Sequence, residues 1–283
     1  MTSPVVLMKA WNLHPKKDFG QNFIKEPATA DMIVARSGVG RHDVVVEIGA
    51  GLGALTLPLA ARTQKVYAVE KDQRIADLLR NELAAARCEN VVLLVQDVLR
   101  LDFPAISAFE GKRLLIMGNI PYNISSQILV QLISKRACIK KAVLMFQKEL
   151  AQRVMAPPGG KSYGRLAVML GYCATVNSIA TVKAAVFYPK PQVDSMVLEI
   201  VFRDQPQPEA ENESFLFKVV KASFSKRRKT LKNSLAGPML QIDAKTAGEE
   251  LAGAGIDPIR RAETLSVAEF VGLSNHLYRA GFR

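Results

Sequence analysis

The chain has 283 residues, of which 49% are hydrophobic and 23% are charged; this composition is typical of a globular protein and excludes an intrinsically disordered one. A net charge of +12 favours a polyanionic partner such as a nucleic acid. The apolar runs are too short to cross a membrane, and the three cysteines and three histidines are scattered along the chain. We therefore predict a cytoplasmic protein with reduced thiols, no membrane association and no metal site.

Short apolar segments alternate with helical patterns between residues 44 and 202. This alternation predicts an α/β fold with a mostly parallel sheet. Residues 72–86 carry apolar side chains at helical spacing, with Asp72 as the predicted N-cap. The predicted buried strands are residues 44–48, 66–70, 91–95, 114–117 and 142–146, and a further pair at residues 175–182 and 196–202 is predicted to form an antiparallel edge.

A change of composition follows the last predicted strand. Residues 204–212 contain Pro206 and Pro208 among acidic and amide side chains, which predicts a linker. The remaining pattern is helical without a strand, at residues 213–224 with a basic continuation to 235, then at 244–252 and 267–279. We therefore predict an α/β domain over residues 1–206 and a small all-α domain over residues 207–283.

A glycine-rich sequence, residues 47–53 (EIGAGLG), lies at the end of the first predicted strand. Glycine allows a sharp turn and a close approach of the backbone to a ligand. Glu70 ends the next strand about 20 residues later, where a carboxylate commonly binds ribose hydroxyls. Asp97 follows the third strand, where it can accept a hydrogen bond from an adenine amino group. The glycine spacing differs from the dinucleotide fingerprint, so these residues match S-adenosylmethionine (SAM) better than NAD.

The fourth predicted strand leads into Asn119-Ile120-Pro121-Tyr122. Proline disfavours the helical region for Ile120, so the Ile120 carbonyl is expected to lie outside any helix, beside the amide oxygen of Asn119. Two neutral acceptors next to the ring of Tyr122 suit a planar amine such as adenine N6. An ordinary strand-to-helix turn is the alternative interpretation, because asparagine and proline are common turn residues.

Five motifs, in order and over most of the chain, resemble the KsgA/RsmA family of small-subunit (16S) ribosomal RNA adenine-N6 dimethyltransferases. They are KKDFGQNF at residues 16–23, VEIGAGLGALT at 46–56, NIPYNISSQIL at 119–129, FYPKPQVDS at 187–195 and SKRRKTLKN at 225–233. Two departures are mild: Ala50 stands where many members carry proline, and Asp18 where a small residue is common.

The resemblance implies a Rossmann-like class I SAM-dependent methyltransferase that dimethylates two adjacent adenines in the 3′-terminal hairpin of 16S rRNA during small-subunit ribosome biogenesis. It implies that an arm, residues 1–26, closes over the cofactor and RNA. Implied cofactor contacts are Asn22, Ile24, Gly49, Gly51, Glu70, Asp97 and Asn119. The implied catalytic residues, of which Tyr122 and Phe187 stack on an extruded base, are Asn119, Ile120, Pro121, Tyr122 and Phe187.

A basic segment near the predicted linker suggests where RNA binds. Between Lys218 and Lys232 there is no acidic residue, and on one continuous helix Lys218, Lys221, Ser225, Arg228 and Lys232 would share a stripe. A solvated charged face is the alternative interpretation. Residues 157–161 are interpreted as a mobile basic loop. The predicted RNA-binding residues are Lys16, Lys17, Lys161, Arg165, Lys226, Arg227, Arg228, Lys229 and Lys232.

The sequence leaves three alternatives to 16S rRNA dimethylation. A 23S rRNA adenine-N6 methyltransferase of the erythromycin-resistance type shares the chemistry, and only the basic signature and the C-terminal domain separate the two. A non-catalytic ribosome assembly factor is disfavoured by the intact Glu70, Asp97 and N-I-P-Y set. A nicotinamide dehydrogenase is disfavoured by the glycine spacing. The predicted partner is 16S rRNA within the small subunit or its precursor, and the predicted oligomeric state is a monomer.

Overall fold

The structure, a computed structural model, describes residues 2–15, 20–226 and 228–283. Its strands are β1 (Phe23–Ile24), β2 (Val44–Ile48), β3 (Lys65–Glu70), β4 (Val91–Val95), β5 (Leu114–Asn119), β6 (Ile139–Gln147), β7 (Ala174–Val182), β8 (Phe187–Tyr188) and β9 (Ser195–Phe202). Its α-helices are α1 (Pro4–Ala10), α2 (Pro27–Arg36), α3 (Thr56–Ala60), α4 (Gln73–Ala85), α5 (Phe103–Glu110), α6 (Ser125–Ser134), α7 (Lys148–Val154), α8 (Arg165–Cys173), α9 (Glu213–Ser223), α10 (Leu231–Leu235), α11 (Ala244–Gly253) and α12 (Val267–Arg279).

The chain divides into two compact units. The first comprises Met1–Ala151 with Val176–Phe202, and the second comprises Gln152–Thr175 with Arg203–Arg283. The predicted linker, residues 204–212, contains neither helix nor strand and is mostly exposed. The domain boundary at residue 206 stays a prediction, since these units are defined by contacts rather than by independent folding.

A seven-stranded sheet in the order β4-β3-β2-β5-β6-β9-β7 dominates the first unit. The neighbours from β4 to β6 pair in parallel, and β6 pairs with β9 in antiparallel orientation. All five residues of β2 are buried, as expected for a parallel strand covered on both faces. The predicted α/β fold with a mostly parallel sheet is therefore confirmed.

The prediction that all five parallel strands are buried is wrong for β4. This strand lies at the edge of the sheet, its first four residues are only partly buried, and Val95 is 37% exposed. An edge strand has a neighbour on one side only, so its side chains are less completely covered. Its sequence, Val-Val-Leu-Leu-Val, contains no feature that distinguishes an edge position from a central one.

Helix α4 forms as its sequence predicts. The Asp72 side chain accepts a hydrogen bond from the backbone N–H of Arg74 and caps the helix. The apolar side chains at helical spacing, Ile75, Leu78, Leu79 and Leu83, are all buried. Amphipathic spacing and a cap are local signals, which explains why this helix was predictable from its own residues.

A second, two-stranded sheet was not predicted. Strands β1 and β8 pair in antiparallel orientation, with Ile24 opposite Phe187, and the N–H of Lys25 donates to the carbonyl of Val186 at 2.9 Å. This pairing joins the end of the predicted N-terminal arm, residues 1–26, to the start of the motif at residues 187–195. Strands of two residues have no recognisable period in a sequence, so only the structure reveals them.

The second unit contains helices α8 to α12, and the prediction of one continuous basic helix through residue 235 is wrong. Helix α9 ends at Ser223, residues 224–226 and 228–230 are not helical, and α10 begins at Leu231. The ammonium group of Lys226 donates to the carbonyls of Asn233 and Ala236, at 2.8 and 3.1 Å, and the N–H of Leu231 donates to the carbonyl of Arg260 at 2.7 Å. These contacts between distant residues hold a turn in place of further helix, so the predicted stripe does not form.

The longest helices in the part of the chain that the structure describes, α4 and α12, have 13 residues each. None of the helices there combines the length and hydrophobicity that crossing a bilayer requires.

Candidate active site

A cavity of about 210 Å³ lies at the carboxyl ends of β2 to β5 in the first unit. Open α/β sheets bind their ligands in this crevice. The structure brings eight of the predicted site residues to its lining, and these are Asn22, Ile24, Gly49, Gly51, Glu70, Asp97, Asn119 and Pro121. Ile24 lies in β1 and Asn22 directly precedes that strand, so this part of the chain contributes to the cavity wall.

The glycine-rich loop after β2 forms one wall of the cavity. Gly49 and Gly51 have φ values of +70° and +56°, which side chains other than glycine rarely adopt. The N–H groups of Gly49 and Ala50 both donate to the carbonyl of Val69, at 2.9 and 3.0 Å, so the loop folds back onto the end of β3. A Cβ atom on Gly51 would lie 3.2 Å from the ring of Phe23. The loop therefore presents bare backbone to the cavity.

The carboxylate of Glu70 is fixed at the end of β3. One oxygen accepts from the N–H of Gly51 and the other from the N–H of Asp72, each at 2.9 Å. Burial raises the pKa of Glu70, and the backbone N–H groups oppose that rise. Because each carboxylate oxygen can accept more than one hydrogen bond, Glu70 both anchors the glycine loop and retains acceptor capacity towards the cavity.

Asp97, after β4, pairs with a lysine that the sequence analysis did not single out. Its Oδ1 accepts from the N–H of Leu99 at 3.0 Å, and its Oδ2 lies 2.8 Å from the ammonium group of Lys71. Lys71, mainly through this hydrogen bond, lowers the pKa of Asp97. Lys71 also lines the cavity. Its position directly after Glu70 is the only sequence signal that could have pointed to it.

Asn119, the last residue of β5, has its side-chain amide oriented by the chain before β1. Its Nδ2 donates to the backbone carbonyl of Asn22 at 2.8 Å, which leaves Oδ1, an acceptor, as the other end of the amide group. The N–H of Ile120 donates to the carbonyl of Met145 at 3.1 Å and continues the pairing of β5 with β6 by one residue. The site thus holds an oriented amide at the mouth of the crevice.

A tight turn between β5 and α6 places Tyr122. The carbonyl of Pro121 accepts from the N–H of Ile124 at 3.2 Å and from the hydroxyl of Ser125 at 3.0 Å. Burial raises the pKa of the Tyr122 phenol, and the hydroxyl of Ser195 opposes part of that rise. The hydroxyl oxygens of Tyr122 and Ser195 are both buried. Tyr122 is partly exposed as a residue, while its hydroxyl end is buried.

Phe187 does not line the cavity. Its side chain is 1% exposed and belongs to the apolar core of the first unit, which also contains Ile24, its partner in the β1–β8 pairing. In this conformation the ring supports the wall that carries Ile24. Stacking of Phe187 on a base stays a prediction, and of the two residues predicted to stack only Tyr122 is partly exposed.

Glu47 is a third acidic residue of the cavity, beside Glu70 and Asp97, and it had no predicted role. Its side chain lies at the end of β2, is 1% exposed and lines the cavity. Burial raises the pKa of Glu47 to about 8, the hydroxyl of Thr56 opposes the rise, and the nearby Glu70 adds to it. Glu47 is therefore neutral at pH 7. An acidic residue within an apolar strand, two positions before the first glycine, was the available sequence signal.

Six of the predicted RNA-binding residues are described, and all six lie in the second unit. Lys161, Lys226, Arg228, Lys229 and Lys232 are exposed, and Arg165 is half-buried at the start of α8. Lys226 also holds the end of α10, as described above, so part of its role is structural. The other three predicted residues, Lys16, Lys17 and Arg227, lie outside the described residues.

Comparison with known proteins places this site in a family. Residues 12–277 match the family model described as "Ribosomal RNA adenine dimethylase". A protein of Desulforapulum autotrophicum named "Ribosomal RNA small subunit methyltransferase A" is 51% identical over 98% of this chain and 97% of its own length. A crystal structure of a dimethyladenosine transferase from Plasmodium falciparum is 26% identical with a TM-score of 0.78, covering 92% of this chain and 98% of that one.

A crystal structure of the 23S rRNA methyltransferase ErmE also matches, at 24% identity and a TM-score of 0.66 over 90% of this chain and 99% of that one. At that identity the similarity shows the fold alone. The α/β methyltransferase fold predicted from the sequence is thus shared with solved rRNA methyltransferases. With a family match over nearly its whole length and a relative at 51% identity, the chain belongs to the ribosomal RNA adenine dimethylase family.

Proposed function

We propose that this protein dimethylates the N6 amine of two adjacent adenines in the 3′-terminal hairpin of 16S rRNA, with SAM as methyl donor, during small-subunit biogenesis. Family membership supports the reaction class. The observation that carries the proposal is the orientation of Asn119, whose Nδ2 is engaged by the Asn22 carbonyl. The acceptor oxygen of the amide is therefore the end that can receive an amine.

The residues of the cavity fit SAM. The glycine loop offers bare backbone, the Glu70 carboxylate is fixed where it can accept from ribose hydroxyls, and Asp97 can accept from the adenine amino group. Glu47 adds a buried carboxyl to the lining of the cavity. When bound, SAM supplies a methyl group on a positively charged sulfur. The residues that would hold it are Asn22, Ile24, Gly49, Gly51, Glu70, Asp97 and Asn119.

Catalysis by this chain then consists of positioning and electrostatics. The lone pair of adenine N6 is delocalised into the ring, so the amine is a weak nucleophile. Hydrogen bonds from N6–H to Asn119 Oδ1 and to the Ile120 carbonyl would orient the amine and favour a localised lone pair. The amine would attack with its own lone pair, so no residue has to take a proton before methyl transfer, and the positively charged methylated nitrogen would lose its proton afterwards. After the first methylation the amine keeps one N–H. A single acceptor, either Asn119 Oδ1 or the Ile120 carbonyl, would then suffice to orient the amine for the second methyl transfer.

An adenine must leave its stack to reach this crevice, and an aromatic face lowers the cost of extrusion. Tyr122 is proposed as that face, because its neighbours Pro121 and Asn123 line the cavity and Tyr122 is partly exposed as a residue. Pro121 gives the turn its shape. Phe187 is proposed to act on the base after a local rearrangement of β8, since its ring is buried in the present conformation.

RNA binding is proposed for the exposed basic residues of the second unit together with the basic residues near the N-terminus. Neutralising phosphates with lysine and arginine is the main source of RNA affinity in such surfaces. We propose a cytoplasmic monomer that acts on the small subunit or its precursor. The residues proposed to contact RNA are Lys16, Lys17, Lys161, Arg165, Lys226, Arg227, Arg228, Lys229 and Lys232.

The 23S alternative is not favoured. The relative at 51% identity carries a small-subunit name, whereas the similarity to the 23S enzyme is at the level of fold. The deciding experiment is transfer of a tritiated methyl group from SAM to small and large subunits that both lack the modification, followed by mapping of the labelled base. Label at two adjacent adenines of 16S rRNA is expected. Label in 23S rRNA alone, or none in either subunit, would contradict the proposal.

A further inference from the structure

The last residue of the motif at residues 187–195, Ser195, plays no part in the proposed chemistry. It is the first residue of β9, its side chain is fully buried, and it lies opposite Gln147, the last residue of β6. Strand β6 also pairs with β5, where Met145 lies opposite Asn119. Ser195 therefore lies at the same edge of the sheet as Asn119, on the other side of β6.

The backbone that carries Ser195 is fixed by the residue before it. The carbonyl of Asp194 accepts from the N–H of Lys148 at 3.0 Å. The Asp194 carboxylate accepts from the N–H of Ala184 at 2.9 Å and from the ammonium group of Lys183 at 3.1 Å. Contacts of both the backbone and the side chain hold Asp194, so the chain presents the Ser195 hydroxyl from a fixed position.

Tyr122 reaches Ser195 from the turn after β5. The N–H of Ile120 still bonds the carbonyl of Met145 in β6, and two residues later the hydroxyl oxygen of Tyr122 is buried, as is that of Ser195. The two groups interact, since the Ser195 hydroxyl opposes part of the rise that burial causes in the pKa of the Tyr122 phenol. A hydroxyl can both donate and accept, so each group is suited to be the partner of the other.

A fixed partner for the hydroxyl limits the motion of the Tyr122 ring. The hydroxyl lies at the far end of the ring, so holding it restricts the swing of the side chain about its first torsion. A stacking face assists methyl transfer only when it presents the base with the amine directed at the methyl donor. Hydrogen bonds from supporting residues are a usual means of fixing such a side chain.

We propose that Ser195 is a positioning residue for methyl transfer, whose hydroxyl fixes the Tyr122 ring in the orientation in which an extruded adenine stacks on it. The inference rests on the proposed function, because it takes Tyr122 to be the stacking face. Ser195 acts through Tyr122, since it is fully buried and is not among the residues that line the cavity.

The test is a double-mutant cycle with Tyr122→Phe and Ser195→Ala. Each variant removes one oxygen atom and adds no volume, so neither creates a steric overlap. The measured quantity is the rate of methyl transfer in a single turnover, at saturating SAM, to small subunits that lack the modification. Ser223→Ala is the matched control, because Ser223 is 2% exposed and its hydroxyl donates to the Val219 carbonyl at 2.8 Å in the second unit.

Tyr122→Phe and Ser195→Ala are each expected to slow transfer by roughly 3- to 10-fold, the range for the loss of one hydrogen bond. The double variant should be no slower than either single variant, because both changes remove the same contact. The affinity for S-adenosylhomocysteine, measured by isothermal titration calorimetry, should stay at the wild-type value in every variant. Ser223→Ala should react at the wild-type rate.

The outcomes separate this inference from the proposed function. Effects that multiply in the double variant, or a wild-type rate in Ser195→Ala, would overturn the role of Ser195 and leave the proposed function standing. A loss of S-adenosylhomocysteine affinity in step with the rate would do the same, because the effect would then lie in the cofactor site or the fold. If Ser195→Ala does not fold, a wild-type rate in Tyr122→Phe alone would overturn the inference. Wild-type protein that transfers no methyl group to either subunit would overturn both.

Discussion

The buried carboxyl of Glu47 provides a quantitative prediction from the structure. Glu47→Gln replaces a neutral carboxyl with a neutral amide of almost the same size, so packing at the end of β2 is retained. The difference is that glutamine cannot ionise. Comparing the two proteins therefore isolates the free energy that is linked to the proton on Glu47.

The sign follows from the direction of the pKa shift. Burial raises the pKa of Glu47 from 4.5 to about 8 in the folded protein, so between these values the folded state keeps a proton that the unfolded state releases. The stability of wild type should therefore fall as the pH rises through this window. Between pH 5.5 and 7.5 the change amounts to about 2–3 kcal/mol, since each pKa unit is worth a little over 1 kcal/mol. Glu47→Gln lacks this contribution.

The assay is urea unfolding at a series of pH values, without cofactor, with the slope of unfolding free energy against urea monitored at each pH. The unfolding free energy of Glu47→Gln minus that of wild type should rise by about 2–3 kcal/mol between pH 5.5 and 7.5. Glu89→Gln is the matched control, because Glu89 is exposed, and its difference from wild type should stay flat. Parallel pH curves for wild type and Glu47→Gln would refute the reasoning, because they would mean that Glu47 is ionised in the fold.

Two further predictions concern packing and RNA. Gly118→Ala would place a Cβ atom 2.4 Å from the carbonyl oxygen of Ile48, so it should lower the free energy of unfolding by about 1–3 kcal/mol or more in urea or thermal unfolding. Gly160→Ala, with open space around its Cβ position, is the control and should change that free energy little. Equal stability of the two variants would contradict the close approach of β5 and β2. The double variant Arg228→Glu with Lys229→Glu should weaken RNA binding and flatten the dependence of log affinity on log salt concentration. Lys245→Glu, at an exposed position of α11, is the control and should change neither. An unchanged salt slope in the double variant would show that Arg228 and Lys229 do not contact RNA.

Much of the fold was predictable because its signals are local. The continuous apolar run of β2 and the capped amphipathic pattern of α4 each specify their element from a few neighbouring residues. The convergence of Glu70, Asp97 and Asn119 was predictable for a different reason. Each follows or ends a parallel strand, and the carboxyl ends of neighbouring parallel strands meet at one edge of the sheet.

The features that were missed depend on contacts between distant residues. The turn after α9 depends on Lys226 bonding the end of α10 and on Leu231 bonding Arg260, so an uninterrupted basic pattern was mistaken for an uninterrupted helix. The burial of Phe187 follows from its pairing with Ile24 across two strands of two residues each. The Lys71–Asp97 ion pair depends on the alignment of β3 with β4, which sequence spacing alone does not specify.

The most direct test of the account is the rate of methyl transfer in a single turnover, at saturating SAM, for Asn119→Ala against wild type. The oriented amide of Asn119 is proposed to hold the adenine amine, so its loss should slow transfer by roughly 10²-fold or more. Asn177→Ala, at an exposed position of β7, serves as the control and should react at the wild-type rate. A near-normal rate in Asn119→Ala, with SAM still bound, would contradict the central claim.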